Sequence, residues 1–583
     1  MKQSKSIHFL LTIVFVIIAA AAAPSPQKPY TIMIYMNGSD LESEFGAATT
    51  DLVEMLDSGL HSRNANVLIL TGGAKRWMND AIPEYEVLLW QLADGQLNEI
   101  KSMGNANMGN PETLKDFITF SMDNYPAEKY GLIMWDHGGG AIAGFGHDEN
   151  FDDDYLSLLE MQKAFEESGL RHNKLEFLGF DACLMATVEM AIVASDYAHV
   201  MIAAEDLEPG DGWDYVFLNA LNQNPQIDGF ALGEIIVDTF MDFYGPDSDE
   251  ILSLSVVDLS KVKPVMDAMG KLMAKANYDL QPPRNNSRRA APAPGVFSDL
   301  ATRRAETKTF GEGSPRDNYS DMVDIGDMAL LLKDMYPRES GAVMRALKNC
   351  VTYNRHNSDI DIWGLSTFYI YGGKSQGEPS LQVYSGLEMD EHFTGYLHKF
   401  FDELTRTNRT RSATRHEREP IHTELVLWQP TPIDQNTLRM AGLLQTNAKD
   451  ENLLWPQLCG HFVCLYPTAQ TQAARQYAIP ANVNGNEASI IVTFSEQHPQ
   501  GKILGIRYQA GGVIQKGYDP LNPSDKVSLY SLERNTATNT ETWHKSPELA
   551  ITTPLELTWT PAPDGYELGY RYRDVYCEVW YCR

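Results

Sequence analysis

Two short, mainly apolar segments constrain the fold most, because each is followed at once by polar or turn-forming residues. Residues 131–136 lead into His137 and three glycines, and residues 175–180 lead into an Asp-Ala-Cys sequence that ends at Cys183. Short apolar runs bounded by turn residues are typical of buried parallel strands. If the two strands are neighbours, the imidazole and the thiol emerge together at the carboxyl edge of one sheet, where open α/β folds build their sites.

A cysteine beside a histidine provides a nucleophile and its proton-transfer partner, the minimum equipment for acyl transfer. Taken alone, Cys183 is better explained as a buried structural residue and His137 as an ordinary loop histidine. The glycines that follow His137 favour catalysis, since residues without side chains let a substrate approach and expose amide N–H groups to an oxyanion. A helix predicted to begin near residue 185 is expected to lower the pKa of the thiol.

The segments around both residues resemble the two active-site motifs of the clostripain-like cysteine peptidases, which belong to the clan of caspases, legumains and gingipains. The matching segments are residues 135–140 and 179–185, with further matches at 31–42 and 363–369. The resemblance covers roughly residues 28–375 and implies an endopeptidase with a His137/Cys183 dyad that cleaves after basic residues. It also implies the N–H groups of Gly138 and Cys183 as oxyanion donors, and no resident cofactor.

The resemblance further implies that Asp181 and Asp211 bind the basic side chain of the substrate. Asp181 lies two residues before Cys183, on the same side of an extended strand, and Asp211 lies in an acidic turn after the next predicted strand. Because a carboxylate binds a guanidinium through two parallel hydrogen bonds, arginine is expected to be preferred over lysine. The alternatives are structural, with Asp181 capping a turn and Asp211 forming one between glycines.

A second acidic cluster, residues 147–154, contains several carboxylates and is therefore considered as a calcium-binding site. An EF-hand loop that started at Asp148 would need glycine and glutamate where this chain has Asp153 and Leu159. Zinc is not expected either, since no His/Cys ligand pattern surrounds the dyad. We therefore predict no metal site, and leave calcium as an untested alternative.

The same region bears on activation, because clostripain-like precursors commonly cut themselves after a basic residue between the two motifs. Residues 130–162 contain no Lys or Arg, and a pocket lined by carboxylates disfavours an acidic loop. We therefore expect activity without an obligatory cut between His137 and Cys183. The alternative is processing at Arg284, Arg288 or Arg289.

The 583 residues predict more than one domain. We expect a signal peptide at 1–23, then an α/β, caspase-like layered peptidase domain with a mainly parallel sheet at 28–403. Within that domain, residues 281–317 are rich in Pro, Ala and Arg and are predicted to form a mobile insertion. A basic linker at 404–420 precedes an all-β, sandwich-like C-terminal domain at 421–583.

Charge and cysteine content indicate the compartment and the partners. A net charge of −31 argues against nucleic acid and anionic membranes and favours basic peptides. The apolar stretch at 9–23 is 15 residues long, short of the ~20 that a membrane span needs. We expect an exported monomer in the periplasm, at the cell surface or outside the cell. Four C-terminal cysteines, namely Cys459, Cys464, Cys577 and Cys582, are candidates for two disulfides of undetermined connectivity.

The sequence thus predicts a secreted cysteine endopeptidase that cleaves after basic residues. A transpeptidase or ligase is the alternative within enzymes, since an amine can replace water in resolving the thioester on Cys183. The alternative from another class is a non-catalytic surface-binding protein that retains the fold.

Overall fold

The computed structural model describes most of the chain, with gaps. The described residues are 27–246, 248–281, 295–311, 320–387, 389–406, 422–430, 454–510, 513–535, 540–549, 551, 555–561, 567–574, 576–577 and 579–582. The predicted signal peptide and residues 407–420 of the predicted linker lie outside them.

The part of the chain before residue 407 alternates strands and helices. Its strands are β1 (Lys28–Asn37), β2 (Ala65–Gly72), β3 (Val87–Ala93), β4 (Gln96–Gly104), β5 (Ala127–Trp135), β6 (Phe145–Asp148), β7 (Asp154–Leu156), β8 (Leu175–Asp181), β9 (Ala198–Ala203), β10 (Ser253–Asp258), β11 (Thr309–Phe310), β12 (Met322–Asp324), β13 (Val351–His356) and β14 (Ser366–Phe368). Its helices are α1 (Ser39–Phe45), α2 (Ala47–Asp57), α3 (Pro111–Asn124), α4 (Gly140–Ala143), α5 (Leu158–Glu167), α6 (Val188–Ala194), α7 (Ala220–Gln223), α8 (Gly229–Tyr244), α9 (Val262–Asp279), α10 (Val296–Glu306), α11 (Ile325–Leu331), α12 (Pro337–Cys350), α13 (Gly377–Ser385) and α14 (Glu391–Leu404).

A nine-stranded sheet organises this part, in the order β13-β10-β9-β8-β5-β1-β2-β3-β4. The five strands from β9 to β2 are mutually parallel, and antiparallel strands extend both edges. The parallel strands are buried on both faces, which explains why their sequences are almost continuously apolar. The predicted α/β class with a mainly parallel sheet is confirmed.

Helices cover both faces of the sheet. Successive residues of β1 alternate between two cores, with Met33 and Tyr35 on one side and Ile32 and Ile34 on the other. Helices α3, α5, α6 and α9 contribute to the first core, and α2 and α8 to the second. This alternation follows from the two-residue period of a strand.

The predicted mobile insertion contains a packed helix. Residues 295–311 form α10 and β11, and Phe297, Leu300 and Ala301 of α10 are buried in the main core. Their spacing of three and four residues places them on one helix face. The mobile character predicted for 281–317 is therefore wrong for this stretch, while residues 282–294 and 312–319, with Arg284, Arg288 and Arg289, lie outside the described residues.

The part after residue 421 is made of mainly antiparallel strands. These are β15 (His422–Pro430), β16 (Leu454–Leu458), β17 (His461–Phe462), β18 (Tyr466–Gln470), β19 (Ala474–Val483), β20 (Asn486–Ser495), β21 (Lys502–Ala510), β22 (Val513–Ile514), β23 (Val527–Asn535), β24 (Thr540–Lys545), β25 (Leu557–Pro561), β26 (Glu567–Arg573) and β27 (Val579–Cys582). They form a ten-stranded and a three-stranded sheet around a core of their own. The predicted all-β C-terminal region is thus confirmed.

Two further observations concern the cysteines and the membrane. Cys350 and Cys577 are free thiols, so the predicted disulfide through Cys577 is not formed within the described part of the chain. The described residues contain no helix that is long and apolar enough to cross a bilayer.

Candidate active site

His137 and Cys183 lie side by side at the carboxyl edge of the central sheet. Strands β5 and β8 are parallel neighbours, with Trp135 paired to Asp181, and each functional residue comes two positions later. The loops that follow touch, since a Cβ atom on Gly138 would overlap the carbonyl oxygen of Cys183. Glycine is therefore required there for the two loops to approach.

The Cys183 thiol is fully buried in this arrangement. Its sulfur accepts a hydrogen bond from the backbone N–H of Glu208, with 3.2 Å between nitrogen and sulfur. Burial raises the pKa of Cys183 to about 12, because the thiolate would lose its hydration. The expected depression by a nearby helix is wrong, since α6 begins only at Val188, five residues later.

Asp40 holds the His137 imidazole from the other side. The Nε2 atom of His137 lies 2.8 Å from Asp40 Oδ1, which leaves Nδ1 as the nitrogen that faces the site. His147 stacks on His137 with ring centroids 5.1 Å apart, and its own Nε2 lies 3.1 Å from the same Asp40 oxygen. Sequence reasoning missed this carboxylate, although Asp40 lies in a segment that carries the family resemblance.

The electrostatics of this group favour a charged pair between Asp40 and His147. Burial alone would raise the pKa of Asp40, yet the two imidazoles lower it well below its usual range. Burial likewise disfavours a charged His147, but the hydrogen bond to Asp40 and the charge of Asp136 raise the pKa of His147 to about 9. Asp136 accepts hydrogen bonds from Asn37 and Ser39 and so anchors the start of α1, the helix that carries Asp40.

Asp40, His137 and His147 are also the described residues whose donor atoms are grouped closely enough to hold a metal ion. Donor atoms of Asp40, His137 and His147 all lie within 4.8 Å of one another. Both imidazoles already share one Asp40 oxygen, so we interpret the group as a hydrogen-bonded support for His137.

Three carboxylates of the acidic cluster considered for calcium are already engaged with the protein. Asp148 accepts hydrogen bonds from the N–H groups of Met108 and Asn150, Glu149 pairs with Lys75, and Asp154 accepts from Asn107. These carboxylates therefore serve to fold the loop.

The two backbone N–H groups predicted to be oxyanion donors are those of Gly138 and Cys183. Among the hydrogen bonds between described residues, none has the N–H group of Gly138 or of Cys183 as its donor. A Cβ atom on Gly138 would lie 3.1 Å from the Cys183 nitrogen, so the two N–H groups belong to adjoining backbone segments.

An acidic pocket lies beside the thiol and contains a lysine from the C-terminal domain. The Lys516 ammonium forms an ion pair with Asp181 and lies 3.5 Å from Glu208 Oε2, and all three side chains are fully buried. The ammonium also donates to the Asp181 carbonyl at 3.2 Å and lies 5.6 Å from the Trp135 ring centroid. A Cβ atom on Gly212 would lie 2.5 Å from the Lys516 nitrogen, so this glycine leaves room for the lysine.

The carboxylates around Lys516 are held by neighbouring side chains. Asp181 accepts hydrogen bonds from the Tyr215 hydroxyl at 3.1 Å and the Trp213 backbone N–H at 3.3 Å. The Trp213 indole donates to Glu208 at 3.3 Å. Burial raises the pKa of Glu208, and the Lys516 ammonium opposes that shift.

Asp211, the second carboxylate expected to bind substrate, lies exposed in the turn after Glu208. The described carboxylates that contact the Lys516 ammonium are Asp181 and Glu208. The sequence places both Glu208 and Asp211 in the acidic turn. Which of the two is buried depends on the path of the backbone, and the sequence does not show that path.

Comparison with known proteins places this site in a family. The family model described as the clostripain family matches residues 34–377, more than half of the chain. The chain belongs to the clostripain family of cysteine peptidases. Clostripain from Hathewaya histolytica is 30% identical over 223 residues, which are 32% of this chain and 40% of clostripain. The chain therefore matches about two fifths of that relative's length.

Solved structures similar to this clostripain-family chain cover about three fifths of it. A secreted C11 cysteine protease from Bacteroides thetaiotaomicron, in complex with an irreversible peptide inhibitor, is 17% identical with a TM-score of 0.46, over 62% of this chain and 99% of that one. An inactive zymogen C11 protease from Parabacteroides distasonis is 19% identical with a TM-score of 0.47, over 63% and 99%.

Proposed function

We propose that this clostripain-family chain is an exported cysteine endopeptidase that hydrolyses peptide bonds after basic residues. The observation that carries the proposal is a buried ammonium group, that of Lys516, held between Asp181 and Glu208 beside the Cys183 thiol. A buried cation is stable only when it is paired, so these carboxylates form a pocket suited to a basic side chain.

The pocket suits both basic side chains. Lysine fits, since Lys516 already lies there. We keep the prediction that arginine is preferred, because a guanidinium can donate to two carboxylates through its planar set of N–H groups. Asp181 is proposed as the main specificity residue, with Glu208 as its partner, while the role predicted for Asp211 stays a prediction.

The proposed reaction proceeds in two steps at Cys183. The sulfur attacks the carbonyl carbon of the scissile bond as the thiol proton moves to His137 Nδ1, and the N–H groups of Gly138 and Cys183 stabilise the oxyanion. His137 then protonates the leaving amine as the C–N bond breaks, leaving a thioester. Water deprotonated by His137 attacks the thioester, and the thiolate leaves and regains a proton. One oxyanion donor contributes about 2.7–4 kcal/mol, and a positioned acid–base group about 10²–10⁴ in rate.

These steps require no metal or cofactor, and the expectation of none is part of the proposal. Asp40 supports His137 by accepting a hydrogen bond from Nε2, which keeps Nδ1 directed at the substrate. Asp40 acts through His137 and does not touch the reacting atoms, so we assign it a positioning role. Export, on the grounds given by the N-terminal sequence, and a monomeric state complete the proposal.

The test is covalent labelling with a lysyl peptide that carries a thiol-reactive group. We expect labelling at Cys183 to be slow in the full chain and faster in a Lys516→Ala variant, in which the pocket loses its internal lysine. Cys183→Ala should remove both labelling and hydrolysis of lysyl and arginyl peptides, and His137→Ala should remove hydrolysis. A protein that is never labelled and never hydrolyses would support the non-catalytic alternative. Products joined to an added amine would support the transpeptidase alternative.

A further inference from the structure

We infer that the C-terminal β domain is an intramolecular inhibitor, whose loop 515–519 occupies the active site with Lys516 in the place of a substrate side chain. The inference rests on the proposed function, because it treats the Asp181/Glu208 pocket as the site for a basic substrate residue. It adds a regulation of that site by the chain itself.

The inhibitory loop, residues 515–519, is built to project from the C-terminal domain. At its far end Asp519 pairs with Ile506 of β21 through two backbone hydrogen bonds of 2.7 and 2.8 Å. At its near end the Gln515 side chain donates to the Asp519 carboxylate and accepts from the Tyr508 N–H at 2.8 Å. The loop is therefore a closed, hydrogen-bonded turn that presents Lys516 at its tip.

Lys516 makes the contacts that a bound basic residue would need. Its ammonium is fully buried and is paired with two carboxylates of the other domain. Burying three charged groups is costly unless they pair with one another, so each domain supplies what the other lacks. An incidental contact between two acidic domains would not place the one basic side chain of this loop in the one acidic pocket beside the thiol.

The loop also blocks the catalytic groups. The Lys516 backbone N–H donates to His137 Nδ1 at 2.8 Å, so the nitrogen that would take a proton from the thiol is already occupied. The Gly517 N–H donates to the Glu208 carbonyl at 3.2 Å, and the N–H of the same Glu208 donates to the Cys183 sulfur. Cys183 is fully buried in this state, and burial raises the pKa of its thiol to about 12. The described state is therefore inactive.

Gly517 permits this close fit. Its φ angle is +72°, and a Cβ atom there would lie 2.6 Å from the backbone of Gly210 in the acidic turn. Only glycine suits both the left-handed backbone and the contact. A side chain at 517 would push the loop out of the site without touching Asp181, His137 or Cys183.

Contacts outside the site hold the two domains together. The Gln476 side chain donates to the Asp249 carbonyl at 2.7 Å, and the Gln472 N–H donates to the Asn357 carbonyl at 2.8 Å. Activation then requires the domain, or at least its loop, to move away.

The experiment compares the full-length chain with Lys516→Ala and Gly517→Val. Lys516→Ala removes the side chain that occupies the pocket. Gly517→Val keeps the lysine but places a side chain where it would clash with the Gly210 backbone. Lys526→Ala is the matched control, because Lys526 is an exposed lysine of the same domain. Two rates are measured: hydrolysis of a lysyl peptide reporter, and alkylation of Cys183 by iodoacetamide, followed by peptide mass spectrometry.

We expect both rates to rise at least tenfold in Lys516→Ala and Gly517→Val, and to stay within twofold in Lys526→Ala. Cys350, which is fully buried elsewhere, is the internal control, since its alkylation should stay slow unless a variant unfolds. Equal rates in the wild type and both folded variants would overturn the inference and leave the peptidase proposal standing. Faster alkylation of Cys183 with no hydrolysis in any form would support the blocking loop and overturn the proposed function.

Discussion

Replacing Asp181 with Asn removes one charge from the acidic pocket and leaves its shape nearly unchanged. The native carboxylate is fully buried, contacts a buried ammonium through one oxygen and accepts from Tyr215 and Trp213 through the other. Asparagine can keep one of these acceptor positions but cannot balance a cation. Removing one partner of such a desolvated pair costs about 2–5 kcal/mol, which is about 30-fold to several thousand-fold in kcat/KM.

The assay must separate two effects of this substitution, because Asp181 also binds Lys516. In the wild type, Asp181→Asn would loosen the inhibitory loop and weaken substrate binding together. We therefore place Asp181→Asn in the Lys516→Ala background and measure kcat/KM for lysyl, arginyl and neutral peptides of otherwise equal sequence. Asp123→Asn, an exposed carboxylate on α3, is the charge-matched control.

We expect kcat/KM to fall at least 30-fold for the lysyl and arginyl peptides and to change little for the neutral peptide. In the control variant, kcat/KM should stay within twofold of its starting value. Alkylation of Cys183 by iodoacetamide should be unaffected, which would show that the thiol remains in place. Glu208→Gln should lower kcat/KM for these peptides by a smaller factor, because the Glu208 carboxylate lies 3.5 Å from the ammonium without a direct hydrogen bond. If lysyl and neutral peptides fell by the same factor, Asp181 would be structural, and the specificity argument would fail. The same assay on Asp211→Asn tests the role predicted for that residue.

Three further predictions follow from the site. Gly138→Ala should abolish hydrolysis with little change in far-ultraviolet circular dichroism, because its Cβ atom would overlap the Cys183 carbonyl oxygen; retained activity would contradict the described loop geometry. Asp40→Asn should lower kcat about tenfold or more while KM for a lysyl peptide stays unchanged, since acid–base catalysis depends on the orientation of His137; a rise in KM alone would contradict a positioning role. The raised pKa of His147, about 9, means that its charged form stabilises the fold fully below pH ~6.5 and that this contribution, about 3 kcal/mol, is lost as pH rises through 9. Between pH 6.5 and 9.5, the stability measured by thermal unfolding should therefore fall less in His147→Gln than in the wild type. Equal falls in the two proteins would refute the pairing with Asp40.

The sheet and the dyad could be predicted because their signals are local. Each parallel strand is a short apolar run that stops at a turn residue, and the register of β5 and β8 then brings His137 and Cys183 to one edge. Helix α10 carried an equally local signal in Phe297, Leu300 and Ala301, but the Pro-rich composition before it outweighed that spacing.

The rest of the site depends on tertiary packing that no local pattern encodes. Asp40 is 97 residues from His137, and Lys516 is 379 residues from it and belongs to another domain. Whether Glu208 or Asp211 enters the pocket depends on the path of an irregular turn that ends at Gly212, where φ is +60°.

Mass spectrometry of the bonds cut in a defined peptide library tests the central claim most directly. The full-length chain, Lys516→Ala and Lys516→Ala with Cys183→Ala are incubated with the library, and each new terminus is assigned. We predict that cuts follow Arg or Lys, are more frequent in Lys516→Ala than in the wild type, and disappear with Cys183→Ala. Cuts after neutral or acidic residues, or cuts that persist without Cys183, would contradict the account.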